Sequence, residues 1–201
     1  MNITYGLMII IGLVTYVSWQ RPELHRRLML NPHDTIRGRQ YYRLLTSGFV
    51  HNNTTHLFLN LFTLYFMGKG VEVVFAMNFG DMGSVLYVIL FVTAVIVANI
   101  PTTLKYKDSP HYNSLGASGA VSALVLAFIL NDPLQELELY FFIPIPGYLL
   151  GVLFIVYSVV MSKRNVDNIN HDAHLFGALY GMIFMLALRP ETFNDFIGKL
   201  F

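Results

Sequence analysis

The sequence predicts an all-α membrane protein, a bundle of six transmembrane helices with a long first loop lying in the interface. Three observations carry that expectation. Of 201 residues, 55% are hydrophobic and only 12% are charged, about half the roughly 25% charge of a soluble domain, and the mean hydropathy is +0.53. Six apolar stretches recur along the chain, against the about 20 residues that one helix needs to cross a bilayer core. Polar residues collect in the links between them. Backbone groups cannot go unpaired in hydrocarbon, so the apolar stretches are helices rather than lone strands. This pattern excludes disorder, a collagen-like repeat and an ordinary soluble globule. With 13 basic and 12 acidic residues, net +1, the chain lacks the basic face of a nucleic-acid binder. The absence of Cys excludes a disulfide, a thiolate metal site and a Cys nucleophile. The length suits a single domain over residues 1–201.

In chain order, the first span is expected from Ile3 to Trp19. No basic stretch precedes it and no small-residue cleavage site follows it, so it reads as a span rather than a signal peptide. The link from Gln20 to Val50 carries six Arg and the adjacent pair Tyr41 and Tyr42. Within it, Pro22 to Leu30 reads as a short helix starting at Pro22 and lying in the headgroup layer. The second span is expected over about His56 to Phe75 and the third over Met82 to about Leu104. A polar loop over Lys105 to Asn113 leads to the fourth span, Leu115 to Ile129. Leu134 to Tyr140 mixes Leu with Gln and Glu, and Leu137-Glu138-Leu139 alternates, which reads as an extended surface segment. Pro144 and Pro146 mark where the fifth helix can begin, over Gly147 to Met161. The sixth covers Ala173 to Leu188. No internal repeat or low-complexity tract interrupts the series.

Polar groups inside such segments are costly and point to function. Three constellations qualify. In His51-Asn52-Asn53-Thr54-Thr55-His56-Leu57-Phe58-Leu59-Asn60, His56 and Asn60 stack on one helix face, as paired hydrogen-bond donors or as helix–helix glue. In Gly116-Ala117-Ser118-Gly119, glycines permit a tight turn and close backbone approach. Ser118 would sit beside the free N–H groups of a helix N-terminus, which suit a negative oxygen. Alternatively, Gly119, Ala123 and Ala127 form a small-residue packing face. In His171-Asp172-Ala173-His174-Leu175-Phe176-Gly177-Ala178-Leu179-Tyr180-Gly181, His174, Gly177 and Gly181 share a face, and Gly177-x-x-x-Gly181 is a close-approach motif. If that face meets Gly119 and Ala123, His174 meets Ser118. The alternative is metal ligation by His171 and His174, with His51, His56, His111 or Asp172.

With these residues in this order, the chain resembles the rhomboid family of intramembrane serine proteases. The resemblance runs from Arg43 to Gly181. It rests on Gly48-Phe49-Val50-His51, His56-Leu57-Phe58-Leu59-Asn60, Gly68 to Glu72, Gly116-Ala117-Ser118-Gly119 and Ala173-His174-Leu175-Phe176-Gly177, with the family's six-helix core. No soluble domain is left over at either end. The resemblance implies a catalytic dyad of Ser118 and His174, with an oxyanion site from His56, Asn60 and the Ser118 amide. Gly116, Gly119, Gly177 and Gly181 would support it. Glu72 corresponds to a structural Glu at the end of the second helix. Arg43 corresponds to a first-loop Arg, although the Trp usually before it is Tyr42 here. The family often has an aromatic residue four after the Ser, stacking on the His. Here that position is Ser122, whose hydroxyl could replace the stacking with a hydrogen bond.

The chemistry follows. A serine hydroxyl needs a base within hydrogen-bond reach, and imidazole titrates near neutrality. Asp172, two residues from His174, points off its face, so a dyad is expected rather than a triad. Hydrolysis needs a wet pocket, ringed by the polar links at Gln20–Val50, Lys105–Asn113 and Ser162–Asp172. No cofactor or metal is expected. The implied partners are the lipid bilayer and transmembrane protein substrates, with a small residue before the cut, and no nucleic acid; oligomeric state is left open. The short fifth helix is the candidate gate. The family layout places the site on the extracytoplasmic side of a plasma membrane. Ten of the 13 basic residues would then lie outside, against the positive-inside rule. A rhomboid-like chaperone or adaptor without catalysis, a His-lined transporter and a metal-dependent membrane enzyme are the alternative functions.

Overall fold

The computed structural model describes residues 3–139, 143–164, 167 and 169–201. Helix α1 is Ile3–Trp19. The long first link folds into three short helices, α2 (Pro22–Leu28), α3 (Pro32–Ile36) and α4 (Arg43–Thr46), then a 3-10 turn. A continuous helical run follows as α5 (Thr54–Thr63), one π-helical turn (Leu64–Gly68) and α6 (Lys69–Phe79). Next come α7 (Met82–Lys105) and α8 (Ser118–Asn131). A hairpin of β1 (Glu136–Leu139) and β2 (Ile143–Pro146) pairs Glu136 with Pro146 and Leu137 with Ile145, antiparallel. The chain ends with α9 (Gly147–Arg164), α10 (His171–Leu188) and α11 (Glu191–Leu200).

All six expected apolar segments are helices, and the chain is an all-α membrane bundle. Among the described residues, four runs are long and apolar enough to cross a membrane: Thr54–Phe79, Met82–Lys105, Gly147–Arg164 and His171–Leu188. The apolar helices α1 and α8 are shorter, with 17 and 14 residues. At 1.5 Å per residue α8 covers about 21 Å of an about 30 Å hydrocarbon core. A helix of that length starts below one surface of the membrane if it reaches the other. It is apolar nearly all round and has ten buried residues, as a helix at the centre of a bundle should.

Backbone contact between α8 and α10 organises the centre. A Cβ at Gly177 would collide with the Gly119 carbonyl, and one at Gly181 with the Ala123 carbonyl. On the other side of α8, a Cβ at Gly119 would lie 2.6 Å from the Cβ of Ala98 on α7. The small-residue faces expected on the two helices therefore meet each other.

Two charged residues hold the periphery. Glu72, 2% exposed, accepts hydrogen bonds from the Ile3 and Thr4 amides at 3.0 and 3.3 Å, the Thr4 hydroxyl at 2.7 Å and Lys69 Nζ at 3.3 Å. A carboxylate there satisfies free amides at the start of α1 and complements the helix dipole. Arg43, 6% exposed, donates to the carbonyls of Arg26 and Met29 at 2.8 and 2.7 Å and to Gln40 Oε1 at 2.7 Å. It ties the first link into a folded unit. Asn99 on α7 clamps that unit by donating to the Leu44 carbonyl and Ser47 Oγ, both at 3.1 Å.

The extended segment expected over Leu134 to Tyr140 is β1, with Tyr140 outside the described residues. Its partner β2 was not foreseen, because Pro144 and Pro146 read as helix-start signals. The helix does begin directly after Pro146, and the prolines sit on a two-stranded edge that tolerates them. Helix α11 was also not foreseen; it places Phe193 and Ile197 outward and Thr192 inward.

Gly181→Ala should destabilise the protein by at least the about 1–3 kcal/mol typical of overpacking, because the obstructing atoms are backbone. Gly12→Ala, with nothing within 4 Å of its added Cβ, should be neutral or stabilise by about 0.5–1 kcal/mol. Thermal unfolding of both variants in detergent checks the contrast.

Candidate active site

Ser118 opens α8 after a turn that only Gly116 makes easily, with φ of +116°. The backbone of this turn is anchored twice. The Gly116 amide donates to the Ser47 carbonyl at 2.9 Å, and the Ala117 amide donates to His51 Nε2 at 3.3 Å. The Ser118 amide, at the first helical position, has no acceptor within its own helix.

His51 is fully buried and its tautomer follows from its partners. Nε2 accepts from Ala117, so Nδ1 carries the proton and donates to Thr15 Oγ1 at 3.1 Å. That hydroxyl in turn donates to the Phe49 carbonyl at 3.1 Å. Burial, with the neighbouring charge of His56, pushes the His51 imidazole down to about 3. The sequence marks His51 as part of the Gly48-Phe49-Val50-His51 motif and as an alternative metal ligand, but its spacing gives no sign of this supporting role.

His56 lies against the same turn. A Cβ at Gly116 would come within 2.7 Å of its Cε1 and Nε2, which is a second reason for glycine there. Asn53 caps α5 by accepting from the His56 amide at 2.8 Å. Asn60, 6% exposed, donates one amide hydrogen to the His56 carbonyl at 3.0 Å, and its Oδ1 is buried without a partner among the described residues. The structure thus brings His56 to the Ser118 turn, with Asn60 one helical turn further along the same face.

His174 is the fourth residue of α10. Asn170 caps that helix, its Oδ1 accepting from the Ala173 amide at 3.1 Å and from Thr102 on α7 at 2.8 Å. Its Nδ2 donates to Ser114 Oγ at 3.0 Å, and Ser114 bridges by backbone to Leu30 in the first link. The three polar links expected around the site are therefore cross-tied at this end of the bundle. From this platform His174 Nε2 reaches Ser118 Oγ at 2.8 Å.

Ser122 does not bond His174. Its hydroxyl donates to the Ser118 carbonyl one turn back, at 2.7 Å, a back-bond open to any helical Ser. The aromatic neighbour of His174 is instead Phe154 on α9, with centroids 6.3 Å apart and planes inclined by 26°, inside the usual range for ring pairs. Sequence spacing could not identify Phe154, since its meeting with His174 depends on how α9 docks. Asp172 points off the His174 face as expected, and it pairs with Lys105 at 2.7 Å and with Ser162. Of the alternative metal ligands, His51 bonds Thr15 and Ala117, and His171 bonds Asp167. Among the described residues, no three His, Asp or Glu side chains converge.

Fold and site together define a polytopic helical membrane protein with a serine–histidine hydrogen bond inside its bundle. The Rhomboid domain matches residues 38–191, and the chain belongs to the rhomboid family. It is 30% identical over 207 residues to RHOMBOID-like protein 12, mitochondrial, of Arabidopsis thaliana, covering 92% of this chain and 60% of that protein. It is 31% identical over 170 residues to Rhomboid-like protein 11, chloroplastic, of the same plant, covering 77% and 56%. It is 26% identical over 152 residues to the putative rhomboid protease YdcA of Bacillus subtilis, covering 72% and 65%. The chain thus spans less than two thirds of the length of each of these relatives.

The buried His51 sets a pH dependence. Folded, it stays neutral down to about 3; unfolded, it takes a proton near 6.5. The unfolded state therefore binds more protons below about pH 6.5, and stability falls as pH drops through that window towards 3. His51→Gln should lower the melting temperature at pH 7 and flatten its decline between pH 6.5 and 4. An unchanged slope would remove His51 from the account.

Proposed function

We propose that the chain is an intramembrane serine endopeptidase, hydrolysing peptide bonds in or next to the transmembrane segments of other membrane proteins. The observation that carries this reading is the 2.8 Å contact between Ser118 Oγ and His174 Nε2. In the mechanism, Ser118 Oγ attacks the substrate carbonyl as its proton moves to His174 Nε2. The carbonyl oxygen becomes anionic and is met by the free Ser118 amide, with His56 and Asn60 as further donors. His174 then passes the proton to the leaving amine, which departs and leaves an ester on Ser118. Water attacks that ester, again with His174 as base, and the acid is released. No cofactor enters these steps.

Attack requires an extended substrate backbone, and unwinding a helix in lipid strips its polar groups of partners. A substrate with a local helix-breaker and a small residue before the cut is therefore favoured. Entry past α9 is the route we propose. That helix turns Val152, Leu153, Val156 and Tyr157 outward and buries only Gly147, Gly151 and Ser158. Its Phe154 is the ring that touches His174, so moving α9 moves a wall of the site.

For placement we propose the family layout, in a plasma membrane with the site on the extracytoplasmic side. The basic residues on that face run against the charge rule, and several of them are engaged within the fold. Arg37 pairs with Asp108 at 2.8 Å and holds that carboxyl below its usual range, Arg43 is buried, and Lys105 pairs with Asp172.

Ser118→Ala and His174→Ala should each abolish cleavage of a reporter transmembrane substrate in detergent with folding retained. His56→Ala should lose about 10²–10³ in rate, as for one oxyanion donor. A fluorophosphonate should label the protein at Ser118 and fail on Ser118→Ala. Unchanged cleavage by either dyad variant contradicts the dyad, and a natural protein that neither cleaves nor labels favours a binding role for the same fold.

A further inference from the structure

We propose that Asp167 and His171 act together as positioning residues for His174, a carboxylate–imidazole pair that steadies the His174 ring and the charge it carries after accepting the Ser118 proton. The inference rests on the protease reading above and adds to the dyad a support that its two members do not supply.

The geometry is specific. His171 is 3% exposed, and its Nε2 lies 3.1 Å from both carboxylate oxygens of Asp167. A carboxylate only accepts, so Nε2 carries a proton and donates. The other ring nitrogen, Nδ1, is buried with no partner among the described residues. Burying an unpaired polar atom costs stability, and an aromatic hydrocarbon could fill the same space without that cost. The imidazole is therefore not explained by packing. Its ring stands edge-on to His174, with centroids 5.7 Å apart and planes at 82°, and edge-on to Tyr157 on α9 at 5.4 Å and 80°.

The groups around the pair leave Asp167 as the counter-charge. His174 faces Ser118 from α8, Phe154 from α9, His171 from its own helix and the imidazole of His56 from α5. His171 faces Tyr157, Asp167 and His174. Asp172 is engaged with Lys105 and Ser162. Among the described residues, Asp167 is the carboxylate bonded to the ring that stands against His174. The hydrogen bond from His171 holds its carboxyl below the ordinary range, so it stays charged. Proton transfer from Ser118 creates a cation on His174, and the Asp167 carboxylate, itself exposed to water, faces it across the buried His171 ring, so solvent screens part of their attraction. Asp167 thus takes the place that Asp172, nearer in sequence, does not fill.

The test uses the full chain in detergent. Fluorophosphonate labelling of Ser118, kcat and KM on a reporter transmembrane substrate, and thermal unfolding are measured for the natural protein, Asp167→Asn, Asp167→Glu and His171→Phe. Asp167→Asn should slow labelling and lower kcat about tenfold, with KM and melting temperature unchanged. Asp167→Glu should restore most of the rate. His171→Phe keeps a ring against Tyr157 and His174 and should match Asp167→Asn in kcat. Labelling and kcat at the natural level in Asp167→Asn, or losses that only track melting temperature, overturn the pair while leaving the dyad intact. Failure of the natural protein to label at all removes the protease reading, and this inference with it.

Discussion

The structure depends on a contact between two backbones. Helices α8 and α10 approach until Gly177 meets the Gly119 carbonyl and Gly181 meets that of Ala123, closer than any side chain allows. In a membrane no hydrophobic force drives helix against helix, so association rests on close packing and on hydrogen bonds between helices. Small residues supply the packing at this seam. Its upper end supplies the hydrogen bond, because the same approach that joins the glycines brings His174 Nε2 to Ser118 Oγ. Chemistry and packing are thus two consequences of one interface.

The surrounding polar residues keep that seam in register. His51 holds the Ala117 amide, and Asn170 ties α10 to Thr102 on α7 and to Ser114. Ser114 is bridged to Leu30, so the first link, the turn before α8 and the start of α10 are connected. Each bond uses a donor or acceptor that would otherwise be stranded near hydrocarbon. The interior polarity that marks this chain therefore has two uses: some groups fix backbone, and a smaller set faces the serine. His51 and His56 show the division. Their rings are 4.9 Å apart, yet one is engaged at both nitrogens and the other lies open against Gly116.

Much of this was legible in the sequence, and the remainder was hidden for physical reasons. Apolar runs locate helices, so α1 was expected at its observed limits and α7 to within a residue. Glycine and alanine at spacings of three and four identified the two faces that meet. Side-chain direction was harder. Ser122 was expected near His174 because the family often has an aromatic residue there, but its hydroxyl bonds its own helix. The ring contact comes from Phe154, whose position depends on how α9 packs. In the first link α2 was legible from Pro22, where it starts, whereas α3, α4 and the strand β2 owe their form to tertiary partners such as Arg43 and to the hairpin register. Asp167 and His171 are four apart, but Asp167 lies before the start of α10, so their contact depends on the turn that leads into that helix.

The central claim is that the first turn of α8 and the first turn of α10 face each other inside the membrane. The chain contains no cysteine, so the pair can be tested directly in native membranes. With Ser118→Cys and His174→Cys combined, a short bifunctional thiol reagent should join the two positions, giving a linked peptide detectable by mass spectrometry. Ser118→Cys combined with Val152→Cys on the outward face of α9 should not be joined. If both cysteines at 118 and 174 react singly but never become linked, the two helices do not meet as described and the account is wrong.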